Sequence, residues 1–342
     1  MSYLIDLTNA LVILTNFILI PGMTYGCQLA LGALGINMIY NTMRFANFAH
    51  GEMMSFATMN TIFMTWWLQS QGIGIHPLPT ALLALPIGLL SLILYTLSAD
   101  YLVFRHYRRI RAKPEIMLIA SIGLLAFTGG LLRFIIGPDD QVFLDGARFI
   151  ITAGEFKAMT GLGEGIAIKT TQVLTVVITF AMCAFLFWFL KSTRTGKSMR
   201  AYSNNEDLAR LSGISPQRVV FVAWLLVSFL VTLAGVLYGL DKSFKPFTYF
   251  HLTLPFFAAA IVGGVGNPVG AIGGGFIIAY SELIVTFAYK RVLGYVLPET
   301  LTPSGLAQFL TTDYKIPLSF FILVIVLIIR PTGFFGSKIK LS

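Results

Sequence analysis

The chain has 342 residues, of which 56% are hydrophobic and 11% charged, and its mean hydropathy is +0.80. A soluble domain carries about a quarter charged residues, so a water-facing globular surface and a disordered chain are both excluded. The formal charge of +9 reads as the basic bias of membrane loops rather than as a nucleic-acid surface. Both cysteines, Cys27 and Cys183, fall in apolar runs with no metal-ligand spacing. The N-terminus has no basic stretch leading to a small-residue cleavage site, so no cleaved signal peptide is expected.

Taken in chain order, the apolar segments predict an all-α integral membrane protein. The expected form is a polytopic bundle of about eight to ten transmembrane helices, some broken or re-entrant, in a single domain over 1–342. Segments 4–20 and 22–40 are divided by Pro21 and Gly22 and read as one broken helix or two short ones. Segment 48–69 is mixed, with His50 and Glu52 at its start and Trp66-Trp67 at its end, where indoles suit a membrane interface. Segments 78–103, 116–137, 169–190 and 218–240 each read as one crossing. Segment 252–289 is too long for one and is interrupted at Gly263-Gly264-Val265-Gly266-Asn267-Pro268. It predicts two crossings, or one with a re-entrant start. The last span is 315–330. Gly22 and Gly26, Gly235 and Gly239, and Gly270 and Gly274 have the spacing that lets helices approach closely.

Charge orients these spans. Loop 105–113, loop 191–218 and the tail with Arg330, Lys338 and Lys340 hold 14 of the 24 basic residues and are expected on the cytoplasmic side. Loop 138–168 carries Asp139, Asp140, Asp145, Glu155 and Glu164 and is expected outside. Parity between residue 218 and the tail asks for four crossings, which places the glycine-rich break at a turn near the cytoplasm.

Several motifs fail on inspection. Thr195-Gly196-Lys197-Ser198 resembles the end of a phosphate-binding loop, but Lys191 stands where the first glycine belongs. The third glycine of 264–270 is one residue late for a dinucleotide fingerprint. The four histidines have no ligand spacing. No catalytic residue, metal or cofactor is therefore expected, and the chain is not read as an enzyme.

The informative polar stretch is 191–218. Asn204 or Asn205 can cap a short helix, with Glu206 and Asp207 in its first turn, where the helix dipole favours acid. Glu206 and Arg210 can pair at i, i+4. Leu208 and Leu211 share a face, and Gly213 is placed to end the helix. The result is a cytoplasmic helix with an apolar stripe, suited either to docking a partner or to packing on the membrane surface or its own loops.

Four stretches together resemble the permeases of branched-chain amino acid ABC transporters, in the shorter, LivH-type form. They are Gly35 to Tyr40 with Asn47-Phe48-Ala49-His50-Gly51-Glu52; Arg200 to Ile214; Gly263 to Ala271; and Arg330-Pro331-Thr332-Gly333-Phe334-Phe335-Gly336. They occur in the family's order and span almost the whole chain. The resemblance implies an inner-membrane subunit that pairs with a second, homologous permease, two cytoplasmic ATPase subunits and a periplasmic solute-binding protein. It makes 200–213 the helix that docks on an ATPase, with Arg200, Glu206, Leu208, Ala209, Leu211 and Gly213 as its coupling residues. The cargo it implies is a small solute, first a branched-chain amino acid and alternatively urea or a short amide. The loop at 138–168 and the stretch at 290–313 are longer than the family pattern, and Asn204-Asn205 replaces its usual acidic or small residues.

Polar groups inside apolar spans are costly and often functional. Gln28, Asn47, His50, Glu52 and Glu282 are the candidates for the translocation pathway, with Asn37 and Asn41 as further buried amides. His50 and Glu52 are two residues apart and do not share a helical face. Glu52 could pair with Arg44 if the chain turns between them, and Glu282 lies near Lys290 and Arg291 in sequence. Each of these residues has a structural alternative, hydrogen bonding within the bundle. A secondary transporter working without ATPases is the main rival, but it has no evident use for the 191–218 segment. A membrane-embedded enzyme would need a clustered His, Asp or Glu site.

Overall fold

The computed structural model describes residues 2–137, 139–143, 148–298, 303 and 305–336. Asp145, Lys338 and Lys340, counted above among the loop and tail charges, lie outside them. In hydrocarbon a backbone has no water to bond, so each crossing segment must satisfy its own N–H and C=O groups as a helix.

The chain opens with α1 (Ser2–Leu14), a π-turn (Thr15–Leu19) and α2 (Ile20–Met43), which run on without interruption. Pro21 does not divide this helix. Its missing N–H is absorbed by the wide turn just before it. At 1.5 Å per residue the rod is about 63 Å long, roughly twice the hydrocarbon thickness. The chain then re-enters through residues 44–49 to α3 (His50–Ser70). It returns along α4 (Ala81–Ala99), a second π-turn (Asp100–Phe104) and α5 (Arg105–Arg109). Next come α6 (Pro114–Ile136), a two-stranded sheet of β1 (Phe149–Ile151) and β2 (Ile168–Lys169) flanking α7 (Ala153–Thr160), and α8 (Thr170–Ser192). Two short helices follow, α9 (Arg194–Asn204) and α10 (Glu206–Leu211). The chain finishes with α11 (Pro216–Lys242), α12 (Pro246–Gly263), α13 (Pro268–Thr286), α14 (Lys290–Val296) and α15 (Lys315–Ile329).

Seven helical stretches are long and apolar enough to cross a membrane. Helix α3 has the length without the hydropathy, and α15 is short. Counting both gives nine passes among the described residues, and the expected two crossings after residue 246 replace any re-entrant loop there. Helix α12 starts at Pro246, six residues before the expected 252, because a proline at the first helical position loses no hydrogen bond.

The core forms around α2 and α11. Helix α2 packs on α13 and α11, and α11 also packs on α3, α4 and α8. Gly22 and Gly26 of α2 lie against the rings of Tyr280 and Phe276 on α13, and Gly274 lies against the Ala259 carbonyl of α12. Trp224, fully buried on α11, donates its indole N–H to Asp100 at 2.8 Å, and Arg108 clamps the same carboxylate at 2.5 and 2.8 Å.

The connections separate by end. One end gathers residues 44–49, the basic 105–113 loop, α9 and α10, the glycine turn after α12 and the final residues. The opposite end gathers 139–143, 148–168, α14 and the start of α1. There Glu164 is buried, accepts from Arg291 at 2.9 Å and from the Tyr295 hydroxyl at 3.0 Å, and donates its backbone N–H to Asn9.

Candidate functional site

Helix α3 begins inside the bundle rather than at its edge. Arg44 caps α2 at φ 58°, a left-handed turn, and sends the chain back inward. The Phe48 N–H then donates to the Ser121 hydroxyl of α6 at 3.1 Å, and Asn47 accepts the Ala49 N–H at 3.2 Å. Gly51 sits against the Tyr249 carbonyl and Thr253 of α12, where no side chain would fit.

His50 and Glu52, both buried, leave this start in different directions. The His50 ring lies edge-on to Phe256 of α12, with centroids 6.0 Å apart, and a Cβ on Gly35 of α2 would fall 2.7 Å from its Cε1. Neither ring nitrogen has a hydrogen-bond partner of ordinary geometry among the described residues. Glu52 points to α6. Gly129 leaves room for its carboxylate, and Arg133 stands 3.8 Å away, with its guanidinium 4.2 Å from the centre of the Phe247 ring. The expected partner, Arg44, is elsewhere: it donates to the Ser203 carbonyl at the end of α9. The sequence offered an acid at the start of one span and an arginine in the last turn of another, but nothing in their spacing links the two.

Below this start, three threonines of α3 donate within their own helix. Thr58, Thr61 and Thr65 donate to the carbonyls of Met54, Ala57 and Thr61, four residues back, at 2.9, 2.8 and 2.7 Å.

The other pathway candidates do not converge with these. The Gln28 amide donates to the Leu237 carbonyl on α11 at 3.4 Å. Glu282 accepts from Ser319 of α15 and from Tyr25 of α2. Its sequence neighbour Arg291 is spent on Glu164. Gln28, His50, Glu52 and Glu282 therefore face four different neighbouring helices or pairs, and Asn47 bonds within its own segment.

The glycine-rich break is a pinned turn. Gly264 and Gly266 adopt φ of 109° and 92°, open to glycine and strained for other residues. Asn37 of α2 donates to the Asn267 carbonyl at 3.1 Å and accepts the Gly266 N–H at 3.2 Å, and Asn41 donates to the Gly266 carbonyl at 3.1 Å. Asn267 caps α13 and donates to the Phe335 carbonyl at 2.8 Å. Phe334 and Phe335 return backbone bonds to Val262 and Gly263. Asn37 and Asn41 are thus anchors of this turn. The Asn37 run, the glycine break and the Phe334-Phe335 ending, far apart in the chain, form one hydrogen-bonded knot.

Beside the knot stands the polar stretch, which is two helices rather than one. Arg200 lies exposed on α9, whereas Glu206, Leu208, Ala209 and Leu211 lie on α10. Thr193 caps α9 through the Gly196 N–H at 2.9 Å, so the phosphate-loop look-alike is helix-start chemistry. Asn205 caps α10 through the Leu208 N–H at 3.0 Å, and Glu206 pairs with Arg210. Gly213 turns out at φ 80°. Burial pushes the Tyr202 hydroxyl up to about 12, with Glu206 adding to the shift, so it stays a neutral donor under α10. Ala209 is buried, while Leu208 and Leu211 are 61% and 85% exposed.

Residues 18–328 match the model of the family described as branched-chain amino acid transport system / permease component. The high-affinity branched-chain amino acid transport system permease protein LivH of Salmonella typhimurium is 28% identical over 92% of this chain and 93% of its own length. The corresponding BraD protein of Pseudomonas aeruginosa is 26% identical over 93% and 94%. A fructose import permease protein, FruG of Bifidobacterium longum, is 26% identical over 62% of this chain and 56% of its own length. A helical bundle with seven long apolar segments and a family match over nearly its whole length leave one assignment: the chain is a multi-pass membrane protein belonging to the branched-chain amino acid transport permease family.

Proposed function

We propose that the chain, acting as a single domain over 1–342, is the permease subunit of an ATP-driven importer of branched-chain amino acids in the inner membrane. The observation that carries this reading is the α9–α10 unit. Two leucines stand exposed on a capped helix whose underside is buried and whose neighbour is tied to the bundle through Arg44 and Ser203. An exposed apolar pair on a supported helix is a docking surface, and in this family reading its partner is a cytoplasmic ATPase.

The basic end then faces the cytoplasm, and the 139–168 end faces the periplasm, where a solute-binding protein delivers cargo. A second, homologous permease completes the membrane part, and two ATPase subunits supply energy. Closure of the ATPases moves α9 and α10, and the Arg44–Ser203 contact passes that movement to the end of α2. Affinity resides in the binding protein, so the permease needs no dense polar site of its own.

The test is to purify the protein from its native membrane in mild detergent and identify what accompanies it. Two ATPase subunits and a second permease support the reading. A lone homo-oligomer that moves solute in liposomes without ATP defeats it. The similarity to a fructose permease protein favours measuring cargo broadly. Competition against leucine uptake by valine, urea, short amides and fructose decides the substrate class.

A further inference from the structure

At the basic end, the α5–α6 connection faces α9 and α10 across a cleft of about 700 Å³. Arg44, Arg105, Arg108, Arg109, Arg111 and Arg210 line it. Three of them are engaged: Arg108 with Asp100, Arg210 with Glu206, and Arg44 with the Ser203 carbonyl. Arg105, Arg109 and Arg111 have no carboxylate partner among the described residues. Arg105 lies over the Tyr101 ring at 5.5 Å, and its Nε is buried without a hydrogen bond. Glu206 and Asp207 are the acids in the lining, and Glu206 is taken by Arg210.

Three like charges facing one cleft repel one another unless an anion sits among them. Guanidinium forks match phosphate oxygens in paired hydrogen bonds. The cleft lies at the α5–α6 connection, and Leu102, Ile110 and Ile116, beside its lining residues in the chain, are exposed. A soluble anion would satisfy the arginines and leave that apolar surface bare. A ligand with a phosphate at one end and hydrocarbon at the other covers both, and basic pockets at helix ends recognise such headgroups.

We propose that this cleft binds the phosphate headgroup of an anionic phospholipid, with Arg105, Arg109 and Arg111 carrying the charge and the acyl chains lying over Leu102, Ile110 and Ile116. Bound lipid would sit against α10 and settle its position on the bundle. The binding is independent of transport, so its failure leaves the permease reading standing.

The experiment uses the full chain, purified in neutral detergent, stripped of lipid and exposed to phosphatidylglycerol or phosphatidylcholine of matched chains. Native mass spectrometry counts the retained lipid. Phosphatidylglycerol is expected to be retained about tenfold over phosphatidylcholine. Combining Arg105→Gln, Arg109→Gln and Arg111→Gln removes that preference. Combining Lys191→Gln, Lys197→Gln and Arg218→Gln, which deletes the same charge at the same end, leaves it intact. Equal loss in both triple variants, or no preference in the unmodified chain, overturns the proposal. So does complete displacement by millimolar inorganic phosphate, which would assign the cleft to a soluble anion. Should the first triple variant fail to fold, Arg109→Gln alone, at an exposed helix end, is expected to lower retention about fivefold, and no change there also overturns it.

Discussion

The glycine turn after α12 and the α9–α10 unit stand at the same end of the bundle, and Arg44 lies beside both. They are held in opposite ways. In the turn, the Gly266 N–H and the Gly266 and Asn267 carbonyls all find partners on α2, and the last described residues close over it. In the unit, the polar groups are also satisfied, but the apolar side chains face outward. One region turns every bond inward and serves as a fixed reference. The other leaves Leu208 and Leu211 exposed, the surface proposed above for docking. A bundle whose parts must move relative to a partner needs both kinds of contact at one end.

The comparison can be broken first at the turn. Gly264→Val puts a branched side chain at φ 109° against the Gly336 backbone. It should cost about 3 kcal/mol, read as a sharp loss of detergent-stable protein. Gly213→Ala is the matched control in the unit, since φ is 80° there and the space is open. It should cost about 1 kcal/mol, and equal costs at the two glycines would erase the distinction.

Asn37→Ala strands the Gly266 N–H and the Asn267 carbonyl, and should cost about 2 kcal/mol in a thermal-stability assay. Leu208→Asp with Leu211→Asp should do the reverse. The amount and stability of the protein in the membrane should stay unchanged, while labelled leucine uptake falls about tenfold or more, as for loss of an apolar anchor. Undiminished uptake would sink the docking role. Asn205→Ala removes the α10 cap for about 1 kcal/mol, seen as faster amide exchange confined to residues 206–211.

The smallest effect lies at the far end. Glu155 closes a capping box with Thr152: its backbone N–H donates to the Thr152 hydroxyl at 3.3 Å and its carboxylate accepts the Thr152 N–H at 2.8 Å, which holds that carboxyl below the usual glutamate range. A depressed folded pKa means that the contribution is present above the ordinary glutamate value and is lost as pH falls through the lower one. Amide protection in α7, taken relative to the intrinsic exchange rate at each pH, should therefore fall only in acid, and Glu155→Gln should make that protection nearly independent of pH.

Hydropathy made most of the crossings legible, because each must bury its backbone as a helix. It failed where local chemistry overrode it. Pro21 looked like a break, but a π-turn upstream carried the helix through. The short helix at 206–211, its cap and its ion pair were readable from the spacing of Asn205, Glu206 and Arg210, because such contacts are local. The partner of Glu52 was not: Arg133 lies 81 positions away on another span, whereas the nearer Arg44 was drawn off by Ser203. Asn37 and Asn41 read as polar groups in a span, and only the folded turn reveals what they hold.

The threonines of α3 have a consequence for motion. Because Thr58, Thr61 and Thr65 spend their donors on their own helix, no interhelical hydrogen bond fastens these positions to α4 or α11. What holds α3 there is shape: Thr61 lies against Gly88 of α4 and Thr58 against Gly235 of α11. Shifting the helix at those two contacts costs packing rather than polar bonds, so the glycines set the clearance within which it can turn.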